Sequence, residues 1–345
     1  MTLYLYPFLV ALGVGFLVTP VIRSIAVRIG ALTRPGPRSV EKVPTPYLGG
    51  VAIYIAFLIS TLIFLKAPQV ELRGILVGGA LTLILGIVDD FRALRPRTKL
   101  AGQIVIATIL VLFGVRIEFL TNPLGGLLVL GPLANAITVL WIVAFMNVVN
   151  LIDGIDGLAA GVSSIAALTL LFVALRQGQG QVVVLTAALA GSALGFLRYN
   201  FNPARIFMGD AGAMFLGYAL GAVAIEGTLK SAAAVALAVP VLALGLPIFD
   251  TFFAIVRRVE NGKSIAEADR GHLHHRLLDK GLTQRQACFV MYGISVLLGL
   301  SAVALTVLKA KEAVFILCCV GAGIFMMARR SGVLEIREQK TTLKQ

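Results

Sequence analysis

The sequence predicts an all-α, polytopic integral membrane protein of about eleven transmembrane helices, and three observations predict it. Hydrophobic residues make up 58% of the 345-residue chain and charged residues only 14%, against about 25% charged in a soluble domain. Apolar runs long enough to cross a bilayer, about 20 residues each, recur from one end of the chain to the other. Lys and Arg concentrate in alternate connections between those runs, as the positive-inside rule requires of a multi-pass protein.

The runs lie at about 4–22, 48–65, 72–88, 100–115, 132–150, 158–175, 181–197, 211–228, 231–254, 286–308 and 312–328. In the first, the charges, starting at Arg23, follow the apolar stretch. A cleavable signal has the reverse order, so this run is expected to stay as the first span. Gly49-Gly50 opens the second run, Asp89-Asp90 closes the third, and Asp210 stands just before the eighth. The connections KAPQVELR, RQGQGQ and KAKEA are short and bland, while 116–131, with TNPLGG, reads as a small re-entrant or surface element. No internal repeat is evident, which weighs against an inverted-repeat transporter. The division expected is one transmembrane catalytic domain over 1–328, with loops at about 23–47, 89–99, 150–157, 198–210 and 255–285, followed by a basic tail at 329–345.

Of the 30 Lys and Arg residues, 23 fall in those loops and the tail and 7 on the opposite side. The first set is therefore expected to be cytoplasmic, with the N-terminus outside and the C-terminus inside. The net charge of +13 is then explained by contact with anionic lipid. No nucleic-acid motif accompanies it, so nucleic acid is not an expected partner. Cys288, Cys318 and Cys319 lie in apolar runs and form neither a disulfide framework nor a zinc spacing.

The unusual polar residues all fall on the basic side. The stretch NVVNLIDGIDGLAAG, Asn147 to Gly161, spaces Asn147, Asn150, Asp153 and Asp156 three apart, which on a continuous helix puts them roughly on one face. Asp89 and Asp90 stand at a helix C-terminus, which disfavours anions and calls for a cation, a base role or a basic partner; a water-exposed helix end is the plain alternative. Asp210, in RYNFNPARIFMGDAG, is either a helix cap or a site residue. All three histidines, His272, His274 and His275, sit within four residues and are followed by Arg276. Their HxHH pattern lacks a separated second ligand pair, so a zinc site is a weak reading.

Five carboxylates from four helix ends on one membrane face would repel one another, so a cation is implied. Carboxylate oxygens favour Mg²⁺, or Mn²⁺, over Zn²⁺. Lys99, the histidines and Arg276 suit phosphate oxygens. Acid, metal and basic groups at a membrane-surface cleft suggest phosphoryl transfer. An ATPase lacks its phosphate cradle here, because no GxxxxGK[ST] loop is present. A secondary transporter is the main non-enzyme alternative, but it would place its charges near the bilayer midplane.

NVVNLIDGIDGLAAG, Asp89-Asp90, FMGDAG and HLHHRL, in this order over about Pro44 to Arg276, resemble the polyprenyl-phosphate N-acetylhexosamine-1-phosphate transferase family. The resemblance implies transfer of a sugar-1-phosphate from a UDP-N-acetylhexosamine to undecaprenyl phosphate in a bacterial plasma membrane, with UMP released, opening a cell-envelope glycan such as teichoic acid or O-antigen. HxHH resembles the UDP-GlcNAc branch; the phospho-MurNAc-pentapeptide translocase branch tends to carry three consecutive histidines. Homodimers are common in the family.

The resemblance also implies roles. Asp210 would be the principal Mg²⁺ ligand, with Asp90 assisting. Asp89 would orient or deprotonate the lipid phosphate, with Asp90 assisting there too. Asp156 would meet the uracil edge and Phe207 would stack on its face. Asn150, Asp153 and Asn200 would line the nucleotide pocket, and Lys99 would lie near the diphosphate. His272, His274, His275 and Arg276 would close over the sugar-phosphate end. Direct attack by the lipid phosphate and a covalent aspartyl intermediate are both proposals within the family. The first loop departs from the pattern: where a histidine and an arginine are common, this sequence has Glu41 and Tyr47, so Pro44, Gly49 and Gly50 carry over as structure only.

Overall fold

A computed structural model describes residues 5–33, 44–65, 69–121, 127–229, 238–260 and 271–308, with scattered positions between 312 and 326. Glu41, residues 231–237 of the expected ninth span, residues 261–270, positions 313, 314, 317, 324, 325, 327 and 328 of the expected span at 312–328 and the tail at 329–345 lie outside the described residues.

The elements, in order, are α1 (Leu5–Arg28), α2 (Gly49–Phe64), α3 (Val70–Arg92), α4 (Pro96–Leu112), β1 (Phe119–Thr121), β2 (Leu127–Val129), α5 (Leu133–Ile152), α6 (Leu158–Arg176), α7 (Gly180–Asn200), α8 (Gly209–Leu229), α9 (Ala238–Ala243), α10 (Gly245–Glu260), α11 (Leu273–Asp279) and α12 (Gln284–Leu305). Among the described helices six, α1, α3, α5, α6, α7 and α12, are long and apolar enough to cross a membrane.

Three features differ from the sequence expectation. Within the 116–131 stretch, Phe119–Thr121 and Leu127–Val129 pair antiparallel, with Phe119 opposite Val129, so the helical bundle carries one small sheet. The ninth apolar run is broken into α9 and α10 at Leu244. Pro247 has no N–H to offer the Ala243 carbonyl, and its ring disfavours an uninterrupted helix there. The loop at 255–285 contains the extra short helix α11.

The bundle is organised around α8. Ala211, Ala213, Met214, Phe215, Leu216 and Tyr218 of this helix are all fully buried, and α8 packs against α2, α3, α5, α6 and α7. Its neighbours come close through glycine, as is common between membrane helices. A Cβ on Gly50 of α2 would strike the Gly212 backbone, one on Gly86 of α3 would strike Ala211, and one on Gly217 of α8 would strike the Phe145 carbonyl. Two of these three contacts lie within two residues of Asp210.

The entry to α8 is held from a second direction. Phe207 N–H donates to the Pro46 carbonyl at 2.8 Å, and Gly49 and Gly50 N–H donate to the Phe207 and Met208 carbonyls at 2.9 Å. Leu48 has φ 91°, a left-handed conformation uncommon for a side-chain-bearing residue, and it turns the chain from this ladder into α2. Pro46, Gly49 and Gly50 thus belong to the support of the α8 N-terminus.

Gly86→Val should force α3 away from Ala211 and destabilise the protein by about 1–3 kcal/mol, as overpacking does. Gly13→Val, at a position with nothing within 4 Å, is the neutral control. Thermal unfolding in detergent checks this; equal midpoints for the two variants would refute the contact.

Candidate active site

Four helix ends meet at one mouth of the bundle: the C-termini of α3 and α5 and the N-termini of α4 and α8. Lys99, in the first turn of α4, is the group they share. Its Nζ lies 2.8 Å from Asp89 Oδ2 and 2.9 Å from Asp210 Oδ2, and it donates to Asn150 Oδ1 at 2.9 Å. Asn150 Nδ2 donates to Asp210 Oδ1 at 2.7 Å. Asp89 Oδ1 accepts the Leu94 N–H at 2.7 Å, which fixes the turn between α3 and α4. The basic partner that the Asp89-Asp90 position called for is therefore Lys99. Burial disfavours its ammonium, but Asp210 and Asp89 outweigh that and hold its pKa above the ordinary lysine value.

Asp90 stands one layer behind. Its Oδ1 accepts the Asp210 N–H at 2.7 Å and its Oδ2 accepts the Ala211 N–H at 3.2 Å. An anion bonded to the unpaired N–H groups of a helix start is well placed, so Asp90 caps α8 and aims Asp210. Gly209, at φ +70°, leaves room for this: a Cβ there would lie 2.5 Å from Asp90 Oδ2. Asp210 does not serve as a cap; its carboxylate faces Lys99 and Asn150.

Asp89, Asp90, Lys99, Gln103, Asn147 and Asp210 line a cleft of about 530 Å³. Asn147 Nδ2 donates to Gln103 Oε1 at 2.7 Å. Gln103, fully buried among apolar residues of α4, was not expected as a site residue; its only sequence signal is an amide inside an apolar run.

The four-residue polar face expected of Asn147, Asn150, Asp153 and Asp156 does not form. Helix α5 ends at Ile152, and Asp153 is its C-cap. Gly157, at φ +82°, turns the chain into α6. Only Asn147 and Asn150 face the cleft. Asp156 lies in the turn, where its Oδ2 accepts from Asn202 Nδ2 and from the Ala204 N–H, both at 2.9 Å. Its buried Oδ1 has no hydrogen-bond partner among the described residues. Asn200 Oδ1 accepts the Gly157 N–H at 3.1 Å, and its Nδ2 donates to the Ile206 carbonyl at 3.0 Å. Asp156, Asn200 and Phe207 therefore brace the 153–157 turn and the 200–207 loop, and none of them lines the acidic cleft.

The histidines form a second cluster, over that turn. His272 is the N-cap of α11; its Nδ1 lies 2.9 Å from Asp250 Oδ2, and Asp250 Oδ1 accepts the Leu273 N–H at 2.8 Å. His274 lies between His272, whose ring is stacked on it at 5.7 Å, and His275, whose ring is tilted against it at 4.2 Å. It packs on Gly154, where a Cβ would strike the imidazole. Burial lowers the His274 pKa to about 3, and the neighbouring His275 adds to this. Arg276 Nε donates to the Gly271 carbonyl at 3.0 Å. Asp250 is the residue that motif reading missed. It is a buried carboxylate inside an apolar run, and that alone marks it as functional by default.

Glycosyl transferase family 4 matches residues 72–228, a range that holds both the acidic cleft and the 153–157 turn. The chain is similar to a probable undecaprenyl-phosphate N-acetylglucosaminyl 1-phosphate transferase of Bacillus subtilis (strain 168), with 40% identity over 86% of this chain and 84% of the relative. It is similar to a decaprenyl-phosphate N-acetylglucosaminephosphotransferase of Mycolicibacterium smegmatis, with 36% identity over 82% of this chain and 77% of the relative. It is also similar to a phospho-N-acetylmuramoyl-pentapeptide-transferase of Moorella thermoacetica, with 32% identity over 86% of this chain and 96% of the relative.

Asp250→Ala leaves His272 Nδ1 and the Leu273 N–H without their acceptor, at a cost of about 1–3 kcal/mol. Hydrogen exchange at 271–279 should accelerate while α8 stays protected; unchanged exchange in α11 would remove Asp250 from this role. His274 also makes stability depend on pH. The unfolded chain takes up its proton near pH 6.5 and the folded one only near 3, so between those values the unfolded state binds more protons. Stability from this group is complete above about 6.5 and falls on acidification by up to about 1.4 kcal/mol per pH unit. His274→Asn should flatten the thermal midpoint between about pH 7 and 5 relative to the parent; an equally steep profile would count against a buried neutral His274.

Proposed function

This chain belongs to glycosyl transferase family 4, and from that premise we propose that it transfers GlcNAc-1-phosphate, or a related HexNAc-1-phosphate, from the UDP-sugar to undecaprenyl phosphate, releasing UMP. The observation that carries the reading is the Asp89–Lys99–Asp210 cluster at the mouth of a cleft between helix ends. It offers fixed charge of both signs where a phosphoryl group would be exchanged at a bilayer surface. The 23 basic residues on this side support a cytoplasmic mouth in a bacterial plasma membrane.

The donor set fits Mg²⁺. Asp89, Asp90 and Asp210 against Lys99 leave a formal excess of two negative charges, and a diphosphate would not approach that excess without a cation. Among the described residues no three His, Cys, Asp or Glu side chains form a metal cluster, which suits an ion held by one or two carboxylates plus substrate phosphates. Asp210 would hold it, and Asp89 is the better-placed second carboxylate, since Asp90 is committed to the α8 backbone. Bound there, Mg²⁺ would neutralise charge on the diphosphate.

The rest of the chemistry falls to the chain. An oxygen of the lipid phosphate attacks the sugar-bearing phosphorus, and the bond to the UMP oxygen breaks. A phosphate monoester has its second pKa near 6, so it needs little help from a base. Lys99 supplies positive charge to phosphate oxygens, and Asn150 keeps Asp210 in register. Each of the six oxygens of Asp89, Asp90 and Asp210 already accepts a hydrogen bond or ion pair. That favours direct attack over a covalent aspartyl intermediate. The unpartnered Oδ1 of Asp156 is an acceptor suited to the uracil imide N–H, and the His272–Arg276 segment, over the same turn, suits the sugar-phosphate end. The HxHH pattern and the identity to the Bacillus subtilis relative support the GlcNAc branch over the MurNAc-pentapeptide branch.

UMP release from UDP-GlcNAc should require both Mg²⁺ and undecaprenyl phosphate, should not occur with UDP-MurNAc-pentapeptide, and should cease with EDTA. Asp210→Asn should lower turnover about 10²–10³-fold with an unchanged thermal midpoint. Parent-like turnover of that variant at limiting Mg²⁺ would refute the assignment, and preference for the pentapeptide donor would move the chain to the other branch.

A further inference from the structure

A second cavity, of about 660 Å³, opens at the same end of the bundle and shares no lining residue with the acidic cleft. It lies between the C-terminal end of α7 and the start of α12. Both of these membrane-length helices pack on α6. Arg198, Arg205 and Arg285 form its polar wall, Leu197, Phe289 and Tyr292 are on its apolar wall, and no carboxylate lines it.

The three arginines are exposed, and two of them are anchored, Arg285 through its side chain and Arg205 through its main-chain carbonyl. Arg285 Nε donates to the Asn202 carbonyl at 2.9 Å, and Arg23 Nε donates to the Arg205 carbonyl at 3.0 Å. The guanidinium groups of Arg198 and Arg205 have no hydrogen bond or ion pair among the described residues. Three like charges around one cleft favour a shared anion, and arginine forks match phosphate oxygens. The apolar wall adds a second requirement. Phe289 is 63% exposed on a membrane-length helix, so the ligand that satisfies both walls is amphiphilic.

We propose that this cleft binds an anionic membrane phospholipid, its phosphodiester between Arg198, Arg205 and Arg285 and an acyl chain along Leu197 and Phe289. Polyprenyl phosphate is the less suitable occupant, because the cleft has no carboxylate to share a cation with a phosphate about to react. The site would brace the loop beside it. Asn202 Nδ2 donates to Asp156 Oδ2 at 2.9 Å and to Gln284 Oε1 at 3.0 Å, so a headgroup on Arg205 and Arg285 ties the α7–α8 loop to α12 and to the 153–157 turn.

The test uses the full chain, purified and delipidated in a neutral detergent and titrated with phosphatidylglycerol or phosphatidylcholine, with binding read by native mass spectrometry and by the thermal midpoint. Phosphatidylglycerol should bind and raise the midpoint, and phosphatidylcholine should do neither. Arg198→Gln/Arg205→Gln, which leaves the Arg285–Asn202 bond in place, should weaken phosphatidylglycerol at least about tenfold, while Arg198→Lys/Arg205→Lys should keep most of it. Equal affinity in the parent and the Gln variant would overturn the proposal. So would displacement of the lipid by millimolar inorganic phosphate, which would mark a free-phosphate site. Tighter binding of undecaprenyl phosphate, lost in the same Gln variant, would overturn it in favour of the substrate lipid.

Discussion

The placement of Asp210 is the constraint on which the rest of the molecule depends. Its carboxylate has to be brought within bonding distance of an ammonium and an amide at the edge of a bilayer, where an unpaired charge is costly. The chain does this through backbone. Gly50 and Gly86 let α2 and α3 touch the first turn of α8, Asp90 binds the N–H groups of that turn, and the Pro46–Phe207 ladder fixes its entry. With the backbone fixed on three sides, the Asp210 side chain has little freedom left. Lys99 then serves Asp89 and Asp210 at once, which keeps two acids close without a buried uncompensated charge.

A second level of organisation separates the acidic cleft from the layer beside it. The acidic cleft is made by α3, α4, α5 and α8. The 153–157 turn, the 200–207 loop and the histidine helix α11 make a neighbouring layer, stitched by Asp156, Asn200 and the His274–Gly154 contact. Asn150 and Asp153, three residues apart, fall on opposite sides of this division, because α5 ends between them. The turn is also fastened from behind by α12, where Tyr292 Oη donates to the Gly157 carbonyl at 2.6 Å. A change at the start of α12 therefore reaches this neighbouring layer before it reaches the acidic cleft.

Much of this was legible in the sequence for a physical reason: charges in an apolar chain have few permissible roles. Asp89, Asp90, Lys99 and Asp210, which the fold brings together, stood out because they flank apolar runs on one basic side. Ten of the eleven apolar runs overlap described helices or helix pairs, and six of those helices are long and apolar enough to cross a membrane. Sequence did less well where backbone direction decides. A period of three suggested one polar face for Asn147 through Asp156, but Gly154 and Gly157 permit a turn, and the face is cut in two. Likewise, the family resemblance implied a shared task for Asp89 and Asp90. On a helix they point about 100° apart, and so one reaches Lys99 while the other reaches the α8 backbone. The stretch holding β1 and β2 stood apart from the bland loops by its TNPLGG, but nothing in it announced strands.

Asp250 shows how the two kinds of information combine. In sequence it is one carboxylate in the apolar run 231–254, outside every motif. In the fold, the break at Leu244 and Pro247 starts a new helix, α10, and Asp250 on that helix meets His272 and the Leu273 N–H. The same carboxylate satisfies an imidazole and the start of α11, the role Asp90 plays for α8 and Asp210. Both functional segments are thus positioned by an aspartate from a neighbouring helix that accepts a backbone N–H at a helix start. Aspartate suits that position because its short side chain loses little conformational freedom on being fixed. Glutamate would add a rotatable bond and move the helix start it holds. Helix–helix spacing, set by glycine on one side and by aspartate on the other, is therefore what converts a membrane bundle with scattered charges into a site with defined geometry.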